Sequence, residues 1–106
     1  MSLCVHRVRG QSMSPHFNHN DYVMSFSWRQ TEFCVGDVVV LNHPRFFTII
    51  KRIAEINDQG ELRLRGDNPA STPSEEIGWQ PIHRVIGKVV WHIQPPSEAT
   101  PTTNGV

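Results

Sequence analysis

The chain has 106 residues, enough for one modest core and no second module, and its 10 basic and 10 acidic side chains cancel. That balance leaves no long-range field to collect nucleic acid or an anionic membrane surface. Two cysteines, Cys4 and Cys34, do not make a disulfide scaffold, no apolar stretch approaches the roughly 20 residues of a membrane span, and the N-terminus lacks the pattern of a secretory signal. A soluble cytoplasmic domain with reduced thiols and no transmembrane anchor is the expectation.

Short β-like runs separated by turns follow one another along the chain, with no convincing helix. Leu3 to Arg9 opens as a strand with alternation from Val5, and Tyr22 to Phe26 follows the Asn18-His19-Asn20-Asp21 turn. Val38 to Leu41 is a continuous apolar run after Gly36-Asp37, as a strand buried on both faces would be. Phe46 to Ile56 reads as a long strand, Asp58-Gln59-Gly60 as a turn, Glu61 to Arg65 as its partner and Val85 to Ile93 as a last strand. Residues 66–81, rich in Gly, Pro, Ser and Asn, read as one long loop. These elements predict a mainly β domain over 1–94, a curled antiparallel sheet or partly open barrel, followed by a disordered Pro/Thr/Ser tail over 95–106.

Two segments carry chemistry. Gly10-Gln11-Ser12-Met13-Ser14-Pro15 places a serine in a turn at the end of the first strand, and Thr48-Ile49-Ile50-Lys51-Arg52-Ile53 buries a lysine among isoleucines. A serine hydroxyl needs a base to take its proton, and a lysine serves only if desolvation keeps it neutral near pH 7. Ser12 as nucleophile and Lys51 as base suggest a Ser–Lys hydrolase. Gly10 would let the backbone approach closely while the turn aims amide N–H groups at an oxyanion. Gln11, Met13 and Pro15 would shape the substrate side of that turn, with the Met13 thioether lining the cleft. On residue types alone, a turn serine and a snorkelling lysine account for the same pattern.

Gly10-x-Ser12-Met13-x-Pro15 resembles the nucleophile box shared by signal peptidase I and the LexA-type self-cleaving repressors. Asp21-Tyr22-Val23, Gly36-Asp37-Val38-Val39-Val40, Ile50-Lys51-Arg52-Ile53, Gly66-Asp67-Asn68 and Gly87-Lys88-Val89-Val90 follow in the family's order over residues 5–93. The resemblance implies a Ser12–Lys51 peptidase acting on a protein or peptide segment without a cofactor, with Ser71 orienting the lysine. Thr72 takes that place if the loop is aligned without a gap. It also implies that Gly66, Asp67 and Asn68 structure the loop, and that the oxyanion hole rests on backbone N–H groups, chiefly that of Ser12. Only nine residues precede Gly10, which leaves self-cleavage without an obvious target. The loop and Leu41-Asn42-His43-Pro44 look most like the small nickel superoxide dismutase maturation proteases. Pro73-Ser74-Glu75 replaces the family's Asp-Ser-Arg triplet, so the usual Asp–Arg brace of the loop is expected to be missing.

The six histidines show no structural zinc spacing, no metal site is expected, and no motif links a histidine to Ser12 in a triad. Phe26, Trp28 and Phe33 read as core or a barrel-end cap, with an apolar rim touching a membrane or substrate as the functional counterpart. The second functional reading is a non-catalytic or regulatory LexA-like domain that binds strands or pairs with a second copy.

Overall fold

The computed structural model describes residues 2–28, 32–71 and 73–94. Six strands make one antiparallel sheet: β1 (Ser2–Arg7), β2 (Tyr22–Ser27), β3 (Val38–His43), β4 (Phe47–Ile56), β5 (Leu62–Arg65) and β6 (Val85–Ile93). The order across the sheet is β1-β2-β6-β3-β4-β5, so it stays open, with β1 and β5 as its edges. The expected mainly β fold is therefore present, and the strand runs match those read from the sequence to within a few residues. The expected tail over 95–106 lies outside the described residues, as does Thr72.

Burial explains the strongest run. Val38 to Leu41 is buried residue by residue, because Val39 and Leu41 join one core with Ile53, Leu62, Leu64 and Ile77 while Val40 joins another with Val8 and Val23. A strand covered on both faces has no use for alternation. β4 follows β3 through a tight hairpin in which Val38 pairs with Arg52 and His43 with Phe47. β5 covers β4 only from Arg52 to Ile56. The other edge of β4, over residues 48–51, is thus left without a strand partner, and this decides the shape of the site.

The segment expected to be one long loop is more ordered than its composition implies. A single helical turn, α1 (Ser74–Ile77), interrupts it, and Gln80 bridges back to Leu62 with reciprocal backbone hydrogen bonds of 2.8 Å. Ile77 drops from α1 into the main core. Four residues cannot display a 3.6-residue period, which is why the sequence conceals this turn. Phe33 packs against the main core, and Phe26 meets Trp28 edge-on at 6.5 Å between ring centroids. Cys4 and Cys34 are free and exposed, and no helix among the described residues is long and apolar enough to cross a membrane.

Candidate active site

Ser12 sits where the chain leaves β1, in a loop held from three directions. From below, the Met13 side chain is 1 % exposed and pins the loop to the core. From within, Ser14 N–H donates to Gln11 O at 3.1 Å and Phe17 N–H to Met13 O at 2.9 Å. From the side, Asn68 N–H donates to Ser12 O and Asn68 Nδ2 to Gln11 O, both at 2.8 Å. The far end of the loop is tied down by Asp21, whose Oδ2 accepts from Asn18 N–H at 2.9 Å and lies 2.7 Å from His92 Nε2.

Gly66 makes the contact with the 66–71 loop feasible. A Cβ there would stand 2.3 Å from Ser71 Oγ and 2.5 Å from Ser12 O, distances that no side chain tolerates. Gly10 works differently from the expectation. Nothing lies within 4 Å of the position its Cβ would take, and its φ of +83° is what demands glycine. Its N–H donates to His19 Nδ1 at 2.9 Å and so is not free for an oxyanion, whereas the N–H of Ser12 has no acceptor among the described residues. The peptide between Ser14 and Pro15 is cis.

Lys51 lies in the middle of β4 with 4 % of its surface exposed, and burial holds its ammonium pKa below the ordinary lysine value. Its neighbour Arg52 points the other way and takes Asp67 in a two-pronged bond, Nε to Oδ1 at 2.9 Å and Nη2 to Oδ2 at 2.8 Å. That hydrogen bonding from Arg52 lowers the Asp67 pKa, and His16 Nδ1 adds a third contact at 2.9 Å. Two consequences follow. The missing Asp-Ser-Arg triplet does not leave the loop unbraced, because Arg52 supplies the guanidinium from β4. The Asp67 carboxylate is in turn held in its ionised form between Arg52 and His16.

Ser12 and Lys51 line one cavity of about 540 Å³, within the usual range for ligand sites. Its walls are consecutive residues, 5–9 along the last part of β1 and just beyond it and 48–51 along β4, with Met13, Phe46 and Ile77 closing the apolar side. Consecutive lining means that each strand presents its edge rather than a face. Both edges are unpaired, β1 because it ends the sheet and β4 because β5 begins only at Arg52. The cavity is thus a slot between two free strand edges. Ser71 sits outside this lining, packed against Gly66, with its N–H on Asn68 O at 2.9 Å. Among the described residues no hydrogen bond joins Lys51 to Ser71 or to Ser12.

The family profile of Peptidase S24-like proteins matches residues 2–90, which takes in β1 to β5, most of β6 and both chemical boxes. The chain belongs to the Peptidase S24-like family. No curated protein matches the chain at a useful level of similarity. Membership in this family places the chain in the LexA and signal peptidase superfamily and supports a serine-peptidase type of function in general.

Sequence reasoning missed several residues of this site. His43 is the clearest: its Nδ1 accepts from Arg45 N–H at 3.0 Å and Phe46 N–H at 3.1 Å, and its Nε2 lies 2.8 Å from Ile77 O. It therefore ties together the two pieces of chain that carry Phe46 and Ile77 into the cavity. His6 also lines the slot, its Nε2 lying 3.0 Å from Ser25 Oγ, and burial lowers its pKa. Among the described residues no group of three or more His, Cys, Asp or Glu side chains could hold a metal ion.

Proposed function

We propose that the protein is a serine endopeptidase with a Ser12–Lys51 dyad, cutting an extended segment of a protein substrate laid between the free edges of β1 and β4. The observation that carries this reading is the joint lining of one slot by Ser12 and a buried Lys51. A segment placed there gains main-chain hydrogen bonds from unpaired strands, which bind without demanding a particular sequence.

The chemistry then runs in two halves. Neutral Lys51 Nζ accepts the Ser12 Oγ proton as Oγ attacks the scissile carbonyl carbon, and the Ser12 N–H stabilises the oxyanion. Protonated Lys51 gives that proton to the leaving amine as the C–N bond breaks, leaving an acyl-Ser12 ester. Lys51 next takes a proton from water, the hydroxide attacks the ester, and the proton returns to Ser12 Oγ as the acid leaves. Asp67 and Asn68 act as positioning residues for the Ser12 loop, and Ser71 orients the lysine once substrate closes the slot. The Leu41–Pro44 stretch further supports kinship with the small maturation proteases, hence removal of a short N-terminal segment in the cytoplasm.

The lack of a hydrogen bond between Ser12 and Lys51 favours a second reading, a strand-binding or dimerising domain without chemistry. Catalytic hydrogen bonds are commonly long in unliganded sites and tighten around substrate. A serine-directed acylating probe read by intact mass separates the two. The native protein should gain one adduct, and Ser12→Ala and Lys51→Ala none. An unlabelled native protein, or equal labelling of Lys51→Ala, sinks the dyad.

A further inference from the structure

Basic side chains meet no acidic ones along the slot. Arg7, Arg9 and Lys51 line it, and no carboxylate does. The chain as a whole is neutral, with 10 bases against 10 acids, so the imbalance is local. Lys51 belongs to the chemistry proposed above. Arg7 and Arg9 have no such duty: both are exposed and both line the slot, Arg7 as the last residue of β1 and Arg9 two residues on, where the chain leads to Ser12.

Among the described residues Arg7, Arg9, Arg45 and Arg84 enter no ion pair, and of these four only Arg7 and Arg9 line the slot. Arg52, Arg63 and Arg65 each reach a carboxylate of Asp67 or Glu55. Arg7 instead donates from Nε and Nη2 to the Asn20 side-chain oxygen at 3.1 and 2.8 Å, a neutral acceptor that aims the guanidinium without discharging it. Among the described residues neither Arg7 nor Arg9 enters an ion pair.

We propose that the slot selects extended segments bearing acidic side chains opposite Arg7 and Arg9, a few residues from the bond presented to Ser12. This deepens the proposed function and rests on its strand-between-edges geometry. Opposite charges facing each other across paired strands are stabilising and like charges are not. The acids must sit away from the cut itself. A carboxylate against Lys51 would favour its ammonium form and remove the base. The inner part of the slot, with Ile49, Ile50 and Phe46, suits apolar side chains instead. The expected substrate is apolar at the cut and acidic a few residues outward.

The test uses short fluorescent peptides alike except for Asp, Asn or Lys at the outer positions. Their binding to Ser12→Ala protein is read by anisotropy at low and high salt. Asp peptides should bind about tenfold more tightly than Lys peptides, with the gap narrowing as salt screens exposed charges. Adding Arg7→Glu and Arg9→Glu should reverse the order, and adding Arg7→Gln and Arg9→Gln should level it. The levelling pair guards against a charge-reversed chain that fails to fold. Absence of binding by every peptide, or an acid preference that survives both pairs, overturns the inference. Labelling of native Ser12 is measured in parallel. Labelling without an acid preference removes this inference and leaves the peptidase. An acid preference without labelling does the opposite.

Discussion

The two ends of the sheet are built on different principles. β3 is buried on both faces and packs with alternate residues of β4 and β5 into a core where Val39, Leu41, Leu62 and Leu64 are fully covered. At the other end every residue of β1 except His6 is exposed, with Leu3 at 60 % and Val5 at 58 %. One end spends its apolar residues on cohesion, whereas the other leaves a strand edge and its side chains open beside the nucleophile. The proposed dyad spans the two, with Ser12 following the open strand and Lys51 inside the packed one. A lysine can be kept neutral only in the packed end, and a substrate strand can be admitted only at the open one.

The largest expected effect comes from Lys51, where the packed end serves chemistry. Lys51→Met should lower acylation of Ser12 by at least about 10³-fold, the usual scale for losing a nucleophile's base. The same change should stabilise the fold, because an apolar side chain of similar length carries no desolvation cost. The sign with pH follows from the lowered pKa. Folded protein binds fewer protons than unfolded protein between the depressed Lys51 pKa and 10.5, so stability rises with pH across that window. The advantage of Lys51→Met is therefore full below the depressed value and fades toward 10.5. Urea midpoints at several pH values check this, and the labelling rate should climb with pH through the same depressed pKa.

The contrast between the two ends is itself open to test by paired truncations. Leu41→Ala removes a fully buried side chain and should cost about 3–4 kcal/mol of unfolding free energy. Leu3→Ala, on the open strand, should stay within about 0.5 kcal/mol. Equal losses would mean that β1 belongs to the cohesive core and that the division drawn above is wrong. Amide hydrogen exchange offers a second reading, with β1 protected far less than β3.

Much of this was legible in the sequence, for a definite reason. Strands and their turns are local, and the serine and lysine boxes are short runs that stand out as candidates without any knowledge of register. What stayed hidden depends on register. Arg52 and Asp67 meet because Arg52 pairs with Arg65 across β4 and β5, which brings the start of the 66–71 loop beside the guanidinium. The missing triplet suggested a loop without a brace, when the brace stood one residue after Lys51. The slot was hidden for the same reason: only the point at which β5 stops covering β4 shows that residues 48–51 have a free edge. His43 joins elements 34 residues apart, and nothing in its own neighbourhood announces that.

The Arg52–Asp67 pair gives the next prediction. Asp67→Asn should cost about 2 kcal/mol at neutral pH, since it leaves a partly buried guanidinium with a weaker partner. The Asp67 carboxyl pKa is lowered, so this stability is present above the ordinary value of 3.8 and is lost as pH falls through the depressed one. Wild type and Asp67→Asn should therefore differ at pH 7 and converge in strong acid. A difference that persists at the lowest pH would assign the role of Asp67 to packing instead of charge.

A small stability effect should come from Asn68, and it bears most directly on how the two ends are coupled. Asn68→Ala removes the bond from Nδ2 to Gln11 O and the bond that Oδ1 accepts from Ala70 N–H at 3.0 Å. Both lie at the surface, so the fold should lose only about 0.5–1 kcal/mol. The backbone bond to Ser12 O and the contact between His16 and Asp67 stay in place, which keeps the loop near its position but loosens its hold on Gln11. Labelling at Ser12 should then fall by about tenfold or more, because attack depends on orientation far more steeply than folding does. A variant that loses stability and labelling in equal measure would show that the 66–71 loop merely holds the domain together. A rate that falls while the urea midpoint hardly moves would show that this loop aims the open end at the buried lysine.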